Sequence, residues 1–122
     1  MMMLARDIMT KEVITINASA KIYELTKLMV EQEISGLPVC NDGGQVVGIV
    51  TEGDLIGLKT GSQVRDIMNR EVISVDADTP VEKVAAILHA TKIKRVPVYH
   101  DGSLVGIISR ANIVAALARR PS

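Results

Sequence analysis

Apolar residues follow two rhythms along this chain, and the same order of rhythms occurs twice. Short apolar runs come first, at Val13–Ile16 and Val72–Val75. Their β-branched content predicts strands. Helical spacing follows: Ile22, Leu25, Leu28 and Met29 form one stripe, and Val81, Val84, Ala85 and Leu88 another. Each stripe reads as the core face of a helix. Thr79-Pro80-Val81-Glu82 signals the start of the second helix with a capping hydroxyl, a proline at the first helical position and a glutamate to close a capping box. Ala20-Lys21-Ile22-Tyr23 lacks that box. Next come two hairpins. Their first strands, Leu37–Cys40 and Val96–His100, open on Pro38 and Pro97, and proline suits a strand's beginning. Asp101-Gly102 is a strong two-residue turn, and Asn41-Asp42-Gly43-Gly44 a looser one. The return strands Gln45–Val50 and Leu104–Ile108 are apolar enough to be buried on both faces. Each half closes with a helix, from about Gly53 to Leu58 and from Arg110 to about Ala118. Ile113–Ala118 is apolar almost all round, so this helix is expected to be covered, most simply by a second subunit.

The pattern is a sequence duplication. Arg6-Asp7-Ile8-Met9 returns as Arg65-Asp66-Ile67-Met68, an offset of 59 residues that persists through Pro38-Val39 and Pro97-Val98. Gly44 is an extra residue in the first copy, so Gly48 matches Gly106 at an offset of 58. The division is residues 1–58, a linker at 59–63, and residues 64–122. A copy of about sixty residues is marginal on its own. Two copies packed face to face about a pseudo-two-fold axis would share a core. The fold class is α+β, two tandem β-α-β-β-α repeats.

The stretch Gly48-Ile49-Val50-Thr51-Glu52-Gly53-Asp54, with its duplicate Gly106-Ile107-Ile108-Ser109-Arg110-Ala111-Asn112, carries the chemistry. In each, an apolar strand ends in a hydroxyl, and a carboxylate or amide follows three residues later at a helix start. Helix N-termini present unpaired N–H groups and favour anions. The same spacing is also an ordinary capping box. Both readings stand, because an exposed cap can still accept a ligand hydroxyl.

Composition narrows the function. The 122 residues are 48% hydrophobic and 23% charged, enough for a packed core. Fourteen basic residues balance fourteen acidic ones, and Tyr23 and Tyr99 are the only aromatics. Neither a basic excess nor stacking platforms are present, which disfavours nucleic acid. Cys40 is the single cysteine. It excludes an internal disulfide and reads as a small core residue rather than a nucleophile. The N-terminus reaches Arg6 and Asp7 too early for a signal peptide, and no apolar run approaches membrane-spanning length. A cytoplasmic protein is expected. His89 and His100 have no Cys, His or acidic neighbour at ligand spacing, so no metal site is expected, and no nucleophile–base pair suggests an enzyme.

Leu37-Pro38 and Val96-Pro97, together with the two Gly-apolar-apolar-[Thr/Ser]-x-x-[Asp/Asn] ends, resemble the cystathionine-β-synthase (CBS) domain in tandem, the pair called a Bateman module. The resemblance runs from about Ala5 to Leu117 and implies a stand-alone pair. It implies two repeats packed through their sheets and a homodimer forming a disc of four repeats. It also implies a non-catalytic regulatory module that senses adenine nucleotides or related adenosyl compounds (AMP, ADP, ATP, S-adenosylmethionine) in clefts between the repeats. Asp54 and Asn112 would then hold ribose hydroxyls, and Thr51 and Ser109 would contact phosphate. Ser109 and Asn112 would work with Thr10, Ile14, Ser35 and Gly36, and Thr51 and Asp54 with Asn69, Ile73, Lys94 and Arg95. Such a module regulates a further protein, which the sequence does not name.

The two ends differ in charge. Lys92, Lys94, Arg95 and Arg110 of the second copy stand where the first has Glu33, Ser35, Gly36 and Glu52. Phosphate is favoured where Lys94, Arg95 and Arg110 converge. Glu52 beside Thr51 repels a triphosphate unless a basic residue or Mg²⁺ intervenes. Unequal affinities are expected. The alternative function is a structural dimerisation or protein-interaction module whose clefts are vestigial.

Overall fold

The protein is described here by a computed structural model over residues 2–57 and 61–119. Leu58, the first two residues of the expected linker (Lys59 and Thr60) and Arg120 lie outside the described residues. Twelve elements follow one another: α1 (Ala5–Ile8), β1 (Ile16–Asn17), α2 (Ile22–Gln32), β2 (Gly36–Cys40), β3 (Val46–Thr51), α3 (Glu52–Ile56), α4 (Val64–Ile67), β4 (Val75–Asp76), α5 (Val81–Thr91), β5 (Arg95–His100), β6 (Ser103–Ser109) and α6 (Arg110–Ala118). They make two three-stranded sheets, β1-β2-β3 and β4-β5-β6, each with one parallel and one antiparallel pairing.

The compact units do not follow the sequence copies. One unit holds residues 1–13 and 73–122, and the other holds 14–72. The lead-in of each copy has therefore joined the body of the other. In the first unit Ala5 and Arg6 donate backbone hydrogen bonds to Thr79 and Ala77, and Val81 donates to Met3. In the second, Val64 and Arg65 donate to Ala20 and Ala18, and Ile22 donates to Ser62. Each unit has its own core. Ala5 and Ile8 pack with Val84, Leu88, Val96, Val98 and Ile108 in one; Val64 and Ile67 pack with Leu25, Leu37, Val39 and Val50 in the other.

The exchange explains the glycine that opens each chemical motif. Beyond α1 the chain runs along β6, where Thr10 and Ile107 exchange hydrogen bonds of 2.9 and 3.0 Å. Met9 then lies against Gly106, so that a Cβ there would come within 2.7 Å of its Cγ. The other unit repeats the arrangement. Asn69 and Ile49 exchange bonds of 2.8 and 2.9 Å, and a Cβ on Gly48 would stand 2.6 Å from Met68 Sδ and 2.9 Å from the Asn69 carbonyl.

Local expectations differ from the structure in three places. The strands expected at Val13–Ile16 and Val72–Val75 shorten to two residues each, since only Ile16-Asn17 and Val75-Asp76 find partners on β2 and β5. Thr79 does not cap α5. Pro80 holds the cap position, while the Thr79 hydroxyl accepts a hydrogen bond from the Asp76 N–H. The first copy, which lacks the hydroxyl signal, uses Glu24, whose carboxylate accepts the Lys21 N–H at 3.1 Å. The Asp101-Gly102 turn forms as expected, with both residues at positive φ (49° and 79°) between His100 and Ser103.

Two tests follow from these contacts. Gly48→Val and Gly106→Val should each cost about 1–3 kcal/mol through overpacking, or roughly 4–8 °C of Tm per kcal/mol. Gly43→Ala, whose Cβ meets only ordinary contact at 3.4 Å, should melt like wild type. Equal melting of all four proteins would contradict the crossing described. The second test concerns Asp66, whose carboxylate accepts the N–H groups of Gln63 and Ser62. These bonds hold it below its ordinary pKa of 3.8. A folded pKa below the unfolded one means stability that is present above the ordinary value and lost as pH falls through the depressed one. Asp66→Asn should therefore flatten the loss of stability on acidification, read from denaturant midpoints between about pH 5 and pH 2.

Candidate functional site

Both polar strand–helix junctions form as the sequence pattern suggests. β3 runs into α3 at Thr51, and β6 runs into α6 at Ser109. In each, the side chain three residues on folds back to the strand end. Asp54 accepts the Thr51 N–H at 2.8 Å and its hydroxyl at 3.2 Å. Asn112 accepts the Ser109 N–H at 2.8 Å and its hydroxyl at 3.0 Å. Part of the donor surface expected for an anion is already used. The first helical N–H of α6, on Arg110, bonds the Lys94 carbonyl, and that of α3, on Glu52, bonds the Ser35 carbonyl.

Asn112 has a second role that a carboxylate could not take. Its Nδ2 donates to the Ile8 carbonyl at 3.0 Å and to the Thr10 hydroxyl at 3.3 Å. The side chain thus ties the exchanged lead-in to the start of α6. At this junction Ser109, Asn112 and Thr10 meet in one place, with Arg95 as the strand-register partner of Ser109 and Lys94 one residue before it. Arg110 instead lines a groove between α5 and α6, with Lys92, His89 and Val114.

The other junction gathers a different set. Gly36 is the register partner of Thr51, Ser35 bonds Glu52, and Asn69 crosses β3 at Ile49. Asn69 Oδ1 accepts the Glu71 N–H. Ile14 packs against the core of this unit. Ile73 belongs to the other unit and is 38% exposed. Within a unit, then, Lys94 and Arg95 accompany Ser109 and Asn112, and Ser35 and Gly36 accompany Thr51 and Asp54. Hairpin register decides this, since Arg95 faces Ser109 and Gly36 faces Thr51.

Two further groups bear on chemistry. Cys40 is half-buried, and burial pushes its thiol pKa up despite a hydrogen bond from Thr15. A raised pKa leaves it protonated near neutrality, a poor nucleophile. His100 does acquire acidic neighbours, which sequence spacing did not show. Parallel pairing of β4 with β5 sets Asp76 opposite Tyr99. The ligand atoms of Asp76, Asp78 and His100 then lie within 4.8 Å of one another, all exposed. Asp78 is ion-paired with Arg6 and Asp101 lies 3.4 Å from His100, so a cation there would compete with a guanidinium.

Two tandem units of this topology, each ending in the same polar junction, match a known domain twice. The CBS domain profile fits residues 5–60 and again 64–119. The chain belongs to the CBS domain family. As a CBS pair it superposes on CBSX2 in complex with AMP with a TM-score of 0.89 at 32% identity, covering 95% of this chain and 96% of that one. It superposes equally (TM-score 0.89, 30% identity, 97% and 98% coverage) on the CBS pair of MJ0100 in complex with 5′-methylthioadenosine and S-adenosyl-L-methionine. In sequence it is 38% identical over 108 residues to an inosine-5′-monophosphate dehydrogenase of Thermoplasma acidophilum, covering 88% of this chain but 22% of that enzyme. It is 33% identical over 113 residues to an L-aspartate semialdehyde sulfurtransferase of Methanocaldococcus jannaschii, with 90% and 22% coverage. The chain spans about a fifth of the length of these enzymes. Among the described residues no helix is long and apolar enough to cross a membrane.

The Asn112 clasp is directly testable. Asn112→Ala removes the acceptor for Ser109 and the donor to Ile8 and Thr10, at a cost of about 1–3 kcal/mol. Thermal unfolding measures the total. Hydrogen exchange should show the Thr10 and Ile107 amides losing protection before those of β5. Uniform loss across the unit would argue against a clasp at this point.

Proposed function

We propose that this CBS pair is a non-catalytic regulatory module that binds an adenosine-containing ligand, and that the α6 junction is the end suited to a phosphorylated one. The observation that carries this reading is the meeting of Ser109, Asn112 and Thr10 beside Arg95 and Lys94. Two structural relatives of about 30% identity contain AMP or S-adenosyl-L-methionine, which supports adenosine as the common element. On binding, the Ser109 and Thr51 hydroxyls turn from Asn112 and Asp54 to donate to phosphate, which frees acceptor capacity on Asn112 and Asp54 for ribose hydroxyls, and Arg95 and Lys94 supply charge. An Arg–phosphate contact is bidentate and charge-assisted, hence strong and directional. The α3 junction offers Ser35, Gly36 and an acidic Glu52 instead, so it suits an adenosyl compound of low negative charge, and a triphosphate there would need Mg²⁺ or a basic group beside it. The module acts in the cytoplasm as a homodimer, and ligand binding shifts a conformation read by a regulated protein. Such a shift requires unequal affinity of the ligand for the two conformations.

A second reading has its own observation. Val30, Ile56, Val114 and Leu117 are each more than half exposed on their helices. A module built chiefly to associate, with vestigial ligand sites, would show such surfaces.

Calorimetry separates the two. AMP, ATP, 5′-methylthioadenosine and S-adenosylmethionine are titrated into wild type, Lys94→Ala, Arg95→Ala and Asp54→Ala. AMP should bind wild type, and Arg95→Ala should weaken it by about 10- to 100-fold, the worth of a charged hydrogen bond. 5′-Methylthioadenosine has no phosphate and should be little affected by that change. Bound ligand must also raise Tm with concentration. A wild-type protein that binds none of the four at millimolar concentration, and whose Tm ignores them, sinks the sensing reading and leaves the association reading.

A further inference from the structure

At the end of β5 far from Ser109, the two sequence copies have diverged in donor chemistry. His100 closes β5, five positions along the strand from Arg95, or about 17 Å at the rise of a strand. Parallel pairing with β4 brings Asp76 beside it, and the turn into α5 adds Asp78. One carboxylate oxygen each from Asp76 and Asp78 and a ring nitrogen of His100 lie within 4.8 Å of one another. Asp101 stands 3.4 Å from His100 Nε2. The duplication aligns Asn17 with Asp76, Ser19 with Asp78, Asn41 with His100 and Asp42 with Asp101. In the first copy the equivalent side chains bond one another: Asn17 donates to Asp42 at 2.9 Å, and its side-chain oxygen accepts the Ser19 hydroxyl at 2.7 Å. The second copy holds three carboxylates where the first holds one. Ionised carboxylates are acceptors only, so the three cannot bond one another as Asn17, Ser19 and Asp42 do.

We propose that Asp76, Asp78 and His100 form a site for a divalent transition ion of the zinc type, with water completing the shell. The nitrogen donor decides the class of ion. Imidazole suits Zn²⁺, Ni²⁺ and Cu²⁺, whereas Mg²⁺ and Ca²⁺ take oxygen ligands. Zinc bound at about 2.0–2.2 Å holds its tetrahedral ligands about 3.4 Å apart. Donors already within 4.8 Å reach that spacing by side-chain rotation, because all three residues are exposed. The backbone beneath them is tied in place. Asp76 Oδ1 accepts the Asp78 N–H at 2.8 Å, the Asp76 N–H bonds the Thr79 hydroxyl, and the Ala77 N–H bonds the Tyr99 carbonyl at 2.8 Å. Asp101 adds negative potential beside the ring without having to ligate. The ion has one competitor, Arg6, which pairs with Asp78. Arg6 belongs to the exchanged lead-in, so the ion and the lead-in compete for one carboxylate.

The experiment titrates ZnCl₂ into the untagged full chain without nucleotide, so its outcome is independent of adenosine binding. Calorimetry gives affinity and stoichiometry, and NMR spectra of the two imidazoles locate the ion. One zinc should bind per chain and shift the His100 ring signals. The His89 ring, which lines the groove between α5 and α6, should not respond. Asp76→Asn, Asp78→Ser and His100→Asn each install the residue that the equivalent position of the first copy already carries. Melting in EDTA checks that they fold like wild type. His100→Asn should weaken zinc at least about tenfold, since even the loss of a ligand's outer partner costs about 10- to 100-fold. The triple variant should not bind. Arg6→Gln should bind severalfold more tightly, because it removes the competitor for Asp78. Zinc that leaves the His100 ring unshifted, or an affinity indifferent to His100→Asn, overturns the proposal. Displacement of zinc by millimolar Mg²⁺ overturns it too, because that marks diffuse attraction to carboxylates. Should the triple variant fail to fold, the imidazole shifts of the wild-type protein decide.

Discussion

Each unit is closed by a methionine crossing a glycine. Met9 lies over Gly106 and Met68 over Gly48, and in both cases the methionine comes from the other sequence copy. The close approach lets the lead-in exchange two backbone hydrogen bonds with the return strand and add apolar residues to the core. A side chain at either glycine would push the lead-in off its strand. The α6 junction depends on this contact. Thr10 reaches Asn112 only because the segment before it is seated on β6.

The same capping device recurs wherever a helix starts with an acceptor at its third residue. Asp7, Glu24, Asp54, Asp66 and Asn112 each accept the N–H of the residue three before them. Such a cap satisfies one of the donors that a helix start exposes. Asn112 is the one amide among them, and it donates to the lead-in with the other end of its side chain. A single residue thus joins cap, lead-in and candidate ligand contact.

Duplication with divergence explains the functional asymmetry. The aliphatic positions that build the two cores kept their character, because a packed interior tolerates little change in volume. The solvent-facing positions were free to diverge. They did so in charge at Lys92 against Glu33 and at Arg110 against Glu52. One scaffold therefore presents two junctions of unlike electrostatics, which is what separate ligand preferences require.

Much of this was legible in the sequence. Apolar spacing located α2 and α5, Asp101-Gly102 located its hairpin, and the repeated Gly-x-x-[Thr/Ser]-x-x-[Asp/Asn] stretch located both junctions. These signals lie in neighbouring residues, and local backbone preference is enough to express them. Other features needed the tertiary structure. The partner of each lead-in is chosen by packing between separate segments of the chain, Thr10 with Ile107 and Asn69 with Ile49, and two near-identical motifs cannot encode that choice locally. Thr79 turned from cap to strand-end acceptor because Asp76 lay within reach. His100 met Asp76 and Asp78 through parallel pairing, which sequence spacing does not reveal. The residues of each junction were identifiable one by one, but only the register of the hairpins and the exchange of the lead-ins determined which of them share a unit.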